Sequence, residues 1–150
     1  MRIKKKKQAE KFQISDLRSK ADQGDPEAQY ELGYLYAKGT GMSQDFAIAR
    51  KWYEKAAGQK YAKAQFNLGV LYYEGHGVPQ DVAKAREWFE KAAVQGYARA
   101  QYNLGMLYYE GQGVPQDVTK ARRWFAKAAV QGYARAQYNL GVLYDHGQGV

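Results

Sequence analysis

The chain has no cysteine, and only two histidines, three prolines and three serines in 150 residues. Without cysteine there is no disulfide framework, no thiolate metal site and no cysteine nucleophile, a composition that fits a reducing compartment. His76 and His146 lie far apart, and no histidines fall at metal-ligand spacing. Ser15, Ser19 and Ser43 have no nucleophile-elbow context and no base nearby. No run of about 18 apolar residues is present, so no segment reads as a membrane span. Lys4–Lys7 resembles the start of a secretory signal, but Gln8-Ala9-Glu10-Lys11 follows where an apolar stretch would be needed. The expectation from these gaps is a non-enzymatic chain with no catalytic residue, cofactor or metal, located in the cytoplasm.

Acidic residues are in deficit too, 15 against 23 basic ones, for a net charge of +8. The surplus is local. Residues 1–20 carry eight basic and two acidic residues, so six of the eight net charges lie there and the remainder is close to neutral. Residues 1–13 read as a basic, disordered leader. A tether to anionic lipid or nucleic acid through Lys4–Lys7 is the alternative use of this segment.

What the sequence has in abundance is itself. Ala62-Lys63-Ala64-Gln65-Phe66-Asn67-Leu68-Gly69-Val70-Leu71-Tyr72-Tyr73-Glu74-Gly75 returns 36 residues later as Ala98-Arg99-Ala100-Gln101-Tyr102-Asn103-Leu104-Gly105-Met106-Leu107-Tyr108-Tyr109-Glu110-Gly111. It begins again at Ala134, and a looser copy starts at Ala28. A fixed period of this length marks a solenoid, in which each unit buries its apolar face on its neighbours. Such arrays work through extended surfaces more often than through catalytic pockets.

Each unit reads as two helices. In the second copy helix A spans about 62–74 and helix B about 82–95, separated by Gly75-His76-Gly77-Val78-Pro79-Gln80, which cannot stay helical. Asp81 sits where an N-cap belongs, as do Asp45 and Asp117. Gly96 and Gly132 are placed to end helix B in a left-handed conformation, whereas Lys60 holds that phase in the first copy. Ala85, Trp88, Phe89, Ala92 and Ala93 form one apolar stripe on helix B, with Trp52, Trp88 and Trp124 as the expected anchors of the core.

Helix A is apolar on two sides. Ala64, Leu68, Leu71 and Tyr72 make a core stripe, with Gly69 allowing a partner helix to come close. Phe66, Val70 and Tyr73 make a second stripe at helical spacing. Either neighbouring A helices bury these rings against each other, or the rings line a ligand groove.

The signature Ala-x-Ala-Gln-x-x-Leu-Gly-x-x-Tyr, then Gly-x-Gly-Val-Pro-x-Asp, then Lys-Ala-x-x-Trp-Phe-x-Lys-Ala-Ala-x-x-Gly runs over residues 62–96 and again over 98–132. It resembles the Sel1-like repeat, a relative of the tetratricopeptide repeat. The resemblance covers about residues 26–150; the first copy departs from it at Met42, Ser43, Ile48 and Lys60. It implies an all-α fold, a right-handed α-solenoid of antiparallel helix pairs with A helices on the concave face. It also implies an adaptor that holds another protein, often as an extended peptide.

Carried over by position, the partner-binding residues are Tyr30 and Tyr34 in the first copy, extended by Lys38. Lys63, Phe66, Val70 and Tyr73 follow in the second, with Glu74 at its edge. Arg99, Tyr102, Met106 and Tyr109 follow in the third, with Glu110, and Arg135, Tyr138 and Val142 in the fourth. A cysteine-rich, exported branch of the family, of penicillin-binding or β-lactamase type, is disfavoured by the missing cysteines and export signal.

The expected organisation is a leader over 1–13, a capping helix over 14–25, and repeats over 26–61, 62–97 and 98–133, with a partial repeat over 134–150 that holds helix A alone. Leu140, Leu143 and Tyr144 are then expected to lack cover on one side, which favours self-association through the C-terminal end. An inhibitor or immunity-type regulator that occludes a partner enzyme is the other functional reading of such a surface.

Overall fold

A computed structural model describes residues 13–147; the basic run Lys4–Lys7 and the last three residues lie outside the described part. The described residues form helices only. They are α1 (13–22), α2 (Pro26–Lys38), α3 (Phe46–Gly58), α4 (Ala62–Glu74), α5 (Val82–Val94), α6 (Ala98–Glu110), α7 (Val118–Ala129) and α8 (Ala134–Asp145). Helices α2, α4, α6 and α8 are the A helices, and α3, α5 and α7 the B helices. From α2 onward each helix packs on the next in sequence, which produces a solenoid of helix pairs.

The local signals act as their chemistry requires. The Asp45, Asp81 and Asp117 carboxylates accept from the backbone N–H of Ile48, Lys84 and Lys120 and start the three B helices. Asp25 starts α2 in the same way, with Pro26 at the first helical position. Helix α5 ends with the Gly96 N–H on the Ala93 carbonyl and the Tyr97 N–H on the Ala92 carbonyl. That paired closure demands a left-handed residue, and Gly96 supplies it at φ 90°. The first copy makes the same two bonds through Lys60 and Tyr61, so Lys60 is driven to φ 63° despite its side chain.

The core corrects one expectation. The ring that anchors each helix pair is the residue after the tryptophan: Tyr53, Phe89 and Phe125 are fully buried. Each comes up against a glycine of its A helix through its Cδ1 and Cε1 atoms. A Cβ at Gly33, Gly69 or Gly105 would come within 2.8, 2.7 and 2.7 Å of those rings, so only glycine fits there. Trp88 and Trp124 are half-buried instead, with the Lys91 and Lys127 ammonium groups 4.3 and 4.5 Å above their rings. Only Trp52 is buried.

Successive repeats are stitched by glutamines. Buried Gln29, Gln65 and Gln101 donate to the carbonyls of Ala21, Ala57 and Ala93 at the end of the preceding helix. Their carbonyl oxygens accept from Gln59, Gln95 and Gln131 of the following B helix. A buried amide must be satisfied on both its ends, and here both partners come from other helices. At the C-terminal side, Leu143 is buried and Leu140 half-buried; Tyr144 is exposed, although it accepts from Arg122 at 3.4 Å.

Candidate functional site

The second apolar stripe of the A helices forms a row of three clefts, one after another along the solenoid. The first, of about 380 Å³, is lined by Tyr30, Tyr34 and Lys38 of α2, by Phe66, Asn67, Val70 and Glu74 of α4, and by Arg99 of α6, with Tyr53 at its base. The second, of about 200 Å³, lies between α4 and α6 and is lined by Tyr73, Tyr102, Asn103, Met106 and Glu110 over Phe89. The third, also about 200 Å³, lies between α6 and α8, lined by Met106, Tyr109, Tyr138, Asn139 and Val142 over Phe125.

The rings on these walls serve two purposes. Tyr30 sits 6.0 Å from Tyr53 and 5.4 Å from Tyr61, centroid to centroid. Phe66 repeats this with Phe89 and Tyr97, and Tyr102 with Phe125 and Tyr133. Each is therefore wedged between the B-helix anchor of its own repeat and the entry to the next A helix. Phe66 is only 3% exposed and forms floor, while Tyr34 at 44% and Tyr138 at 73% stand free. Tyr73 is held at the rim by its hydroxyl, which donates to Gln112 of the following loop at 2.9 Å.

Polar groups reach into the same space. The Asn67 amide donates to the Tyr53 hydroxyl at 3.1 Å, and Asn139 donates to the Met106 sulfur at 3.2 Å. Burial holds the Tyr53 phenol well above the usual tyrosine range, with the Asn67 bond pulling the other way. Burial raises Tyr30 as well. Both remain neutral hydrogen-bonding groups at physiological pH. Lys63 is exposed, with its ammonium 5.9 Å from the Tyr30 ring, and Arg135 is exposed outside all three clefts.

Three wall groups escaped the sequence reading. Asn67 reads from the sequence only as a polar residue of helix A, although it recurs with the 36-residue period as Asn103 and Asn139. Phe46 and His76 also enter the first cleft, stacked at 4.6 Å, through loop geometry that helical periodicity does not encode. A larger cavity than any of these, about 670 Å³, lies elsewhere, between α1 and α2 around Ile14, Leu17 and Leu35. Its Asp16 and Lys20 pair with each other at 3.0 Å. Among the described residues no cluster of three or more His, Asp or Glu side chains is placed to hold a metal, and no helix is long and apolar enough to cross a membrane.

Stacked helix pairs with a cleft-bearing A-helix face define an all-helical α-solenoid. The chain belongs to the Sel1 repeat family, whose model matches residues 26–61, 62–97, 98–133 and 134–150. It is similar to a Sel1 repeat protein from Oxalobacter formigenes, 40% identical with TM-score 0.89, over 99% of this chain and 61% of that one. A protective antigen of uropathogenic Escherichia coli with this fold is 43% identical with TM-score 0.89, over 91% of this chain and 29% of that one. Among curated proteins, the chitin synthase regulator SKT5 of Saccharomyces cerevisiae is 50% identical over 40 residues, 27% of this chain and 6% of the regulator. The chain thus spans less than two thirds of the length of each of these relatives. Sel1 repeat proteins generally act as protein-interaction scaffolds and are typically not enzymes.

Proposed function

We propose that this chain is a non-enzymatic adaptor that holds a partner protein, through an extended segment, along the A-helix face. The observation that carries the reading is the row of three aromatic clefts, repeated with the sequence period and opening on one side of the molecule. A row of this kind fits a chain whose side chains enter successive clefts, as repeat scaffolds bind extended ligands. Aromatic and Met walls give adaptable apolar contact, and half-free amides such as Asn103 offer hydrogen bonds to a main chain.

The test is affinity capture from a native lysate by the wild type beside a variant carrying Tyr102→Ala and Tyr109→Ala. Both rings line clefts and both are only half-buried, so helicity by circular dichroism should be retained. Interface rings of this type contribute about 1–2 kcal/mol each, so capture of a specific protein should fall by roughly tenfold or more. Equal capture by both proteins would remove the A-helix face from the function.

A further inference from the structure

The three clefts differ in charge, and the difference specifies the ligand. Three cations gather on the first. Lys38 lies with its ammonium 5.8 Å from the Tyr34 ring, Lys63 lies 5.9 Å from Tyr30, and the Arg99 guanidinium lies 4.8 Å from Phe66. None of them has a carboxylate partner among the described residues. On the B helices Arg50, Arg86, Lys84 and Lys120 pair with Glu54, Glu90, Asp81 and Asp117, while the ring-bound Lys91 and Lys127 have no such partner among the described residues but line none of the three clefts. The one carboxylate lining this cleft, Glu74, is 3.0 Å from the His76 Nδ1. The second cleft has no cation and carries Glu110 on its rim; the third has no charged side chain in its walls.

Cations resting on rings keep their charge while the ring faces displace part of their water, so they attract a carboxylate more strongly than solvated lysines would. A nucleic acid or other regular polyanion would need a continuing basic track. Here it would leave the first cleft to meet Glu110 and then an uncharged wall.

We infer that the A-helix face selects an extended peptide with an acidic residue for the first cleft and apolar side chains for the second and third. This rests on the adaptor reading above and adds the chemistry of the partner to it. Lys38, Lys63 and Arg99 supply the acidic preference, and Tyr73, Tyr102, Met106 and Tyr138 supply the apolar one.

The experiment is selection of a displayed library of random dodecapeptides on the full chain, followed by anisotropy titration of a recovered peptide. Three probes are compared: that peptide, its Asn/Gln counterpart, and a single-stranded oligothymidylate. The recovered pool should be enriched in Asp and Glu next to apolar residues. The Asn/Gln counterpart should bind about tenfold more weakly, and added salt should weaken the acidic peptide but not that neutral counterpart. Lys63→Gln with Arg99→Gln, two exposed positions, should remove most of the preference between the acidic peptide and its neutral counterpart, with Lys38 left to supply the remainder.

A pool without acidic bias, or equal binding by the Lys63/Arg99 variant, overturns the charge assignment. If that binding still falls on Tyr102→Ala with Tyr109→Ala, the adaptor reading stands. A library that enriches nothing overturns both. Tighter, Arg99-dependent binding of the oligothymidylate replaces the peptide by an anionic polymer.

Discussion

At Gly69 a single added methyl group has nowhere to go, because the Phe89 ring already lies within 2.7 Å of where it would be. The close approach makes Phe89, not Trp88, the residue on which the helix pair of the second repeat hangs. Phe89→Ala should therefore cost about 3–5 kcal/mol, as a full cavity is left. Trp88→Ala should cost less, roughly 1–2 kcal/mol, since its ring is only partly buried, under the Lys91 side chain. Urea unfolding of the two variants side by side checks the order, and equal losses would return the anchor to the tryptophan. Lys60 is the opposite case, a side chain where the backbone prefers none. Lys60→Gly should stabilise the chain by about 0.5–1 kcal/mol, the relief of a left-handed lysine less the extra entropy glycine loses on folding. A rise in the urea midpoint at unchanged slope would show it.

Between elements, the glutamine stitches carry information that ordinary packing does not. Gln65 satisfies one carbonyl behind it and one amide ahead of it, while Gln137 makes only the bond behind, to Ala129, and is exposed. Gln65→Ala should cost about 1–2 kcal/mol and Gln137→Ala under about 0.5 kcal/mol, measured by thermal unfolding. Similar losses at both sites would mean that the link between repeats adds nothing. At this scale the sequence was readable where one residue decides the outcome: Asp81 as cap, Gly96 as terminator, Gly69 as contact point. It was less readable where two neighbours compete. Trp88 and Phe89 stand only about 100° apart on the helix, so periodicity puts both in the stripe and leaves open which points inward. Phe66 and Tyr73 share a stripe as well, yet one is floor and the other rim, because that depends on Tyr97 at the entry to the next A helix and on Gln112 in the next repeat. The clefts themselves are made by pairs of A helices, and a pattern within one helix does not contain them.

Across the whole molecule, stability is the sum of units and the contacts between neighbours, so it need not be uniform. Among the described helices α4, α5 and α6 have neighbours both before and after them, while α8 packs on α7 and touches α6 through Asn139 and Met106. Around Gly141 of α8 no atom lies within 4 Å of where a Cβ would be, in contrast to Gly69 and Gly105. Amide hydrogen exchange read by mass spectrometry should find the backbone of α4–α6 opening last and that of α8 opening first. The consequence reaches the binding surface. The second cleft is built on the protected helices and stands preformed, but the third takes Tyr138, Asn139 and Val142 from α8. Its affinity is then reduced by the fraction of time α8 is open. A peptide that fills all three clefts must slow exchange in α8 more than in α4, because binding draws on the closed state alone. Uniform protection along the chain, with or without peptide, would instead make the solenoid one cooperative unit and its three clefts equally rigid.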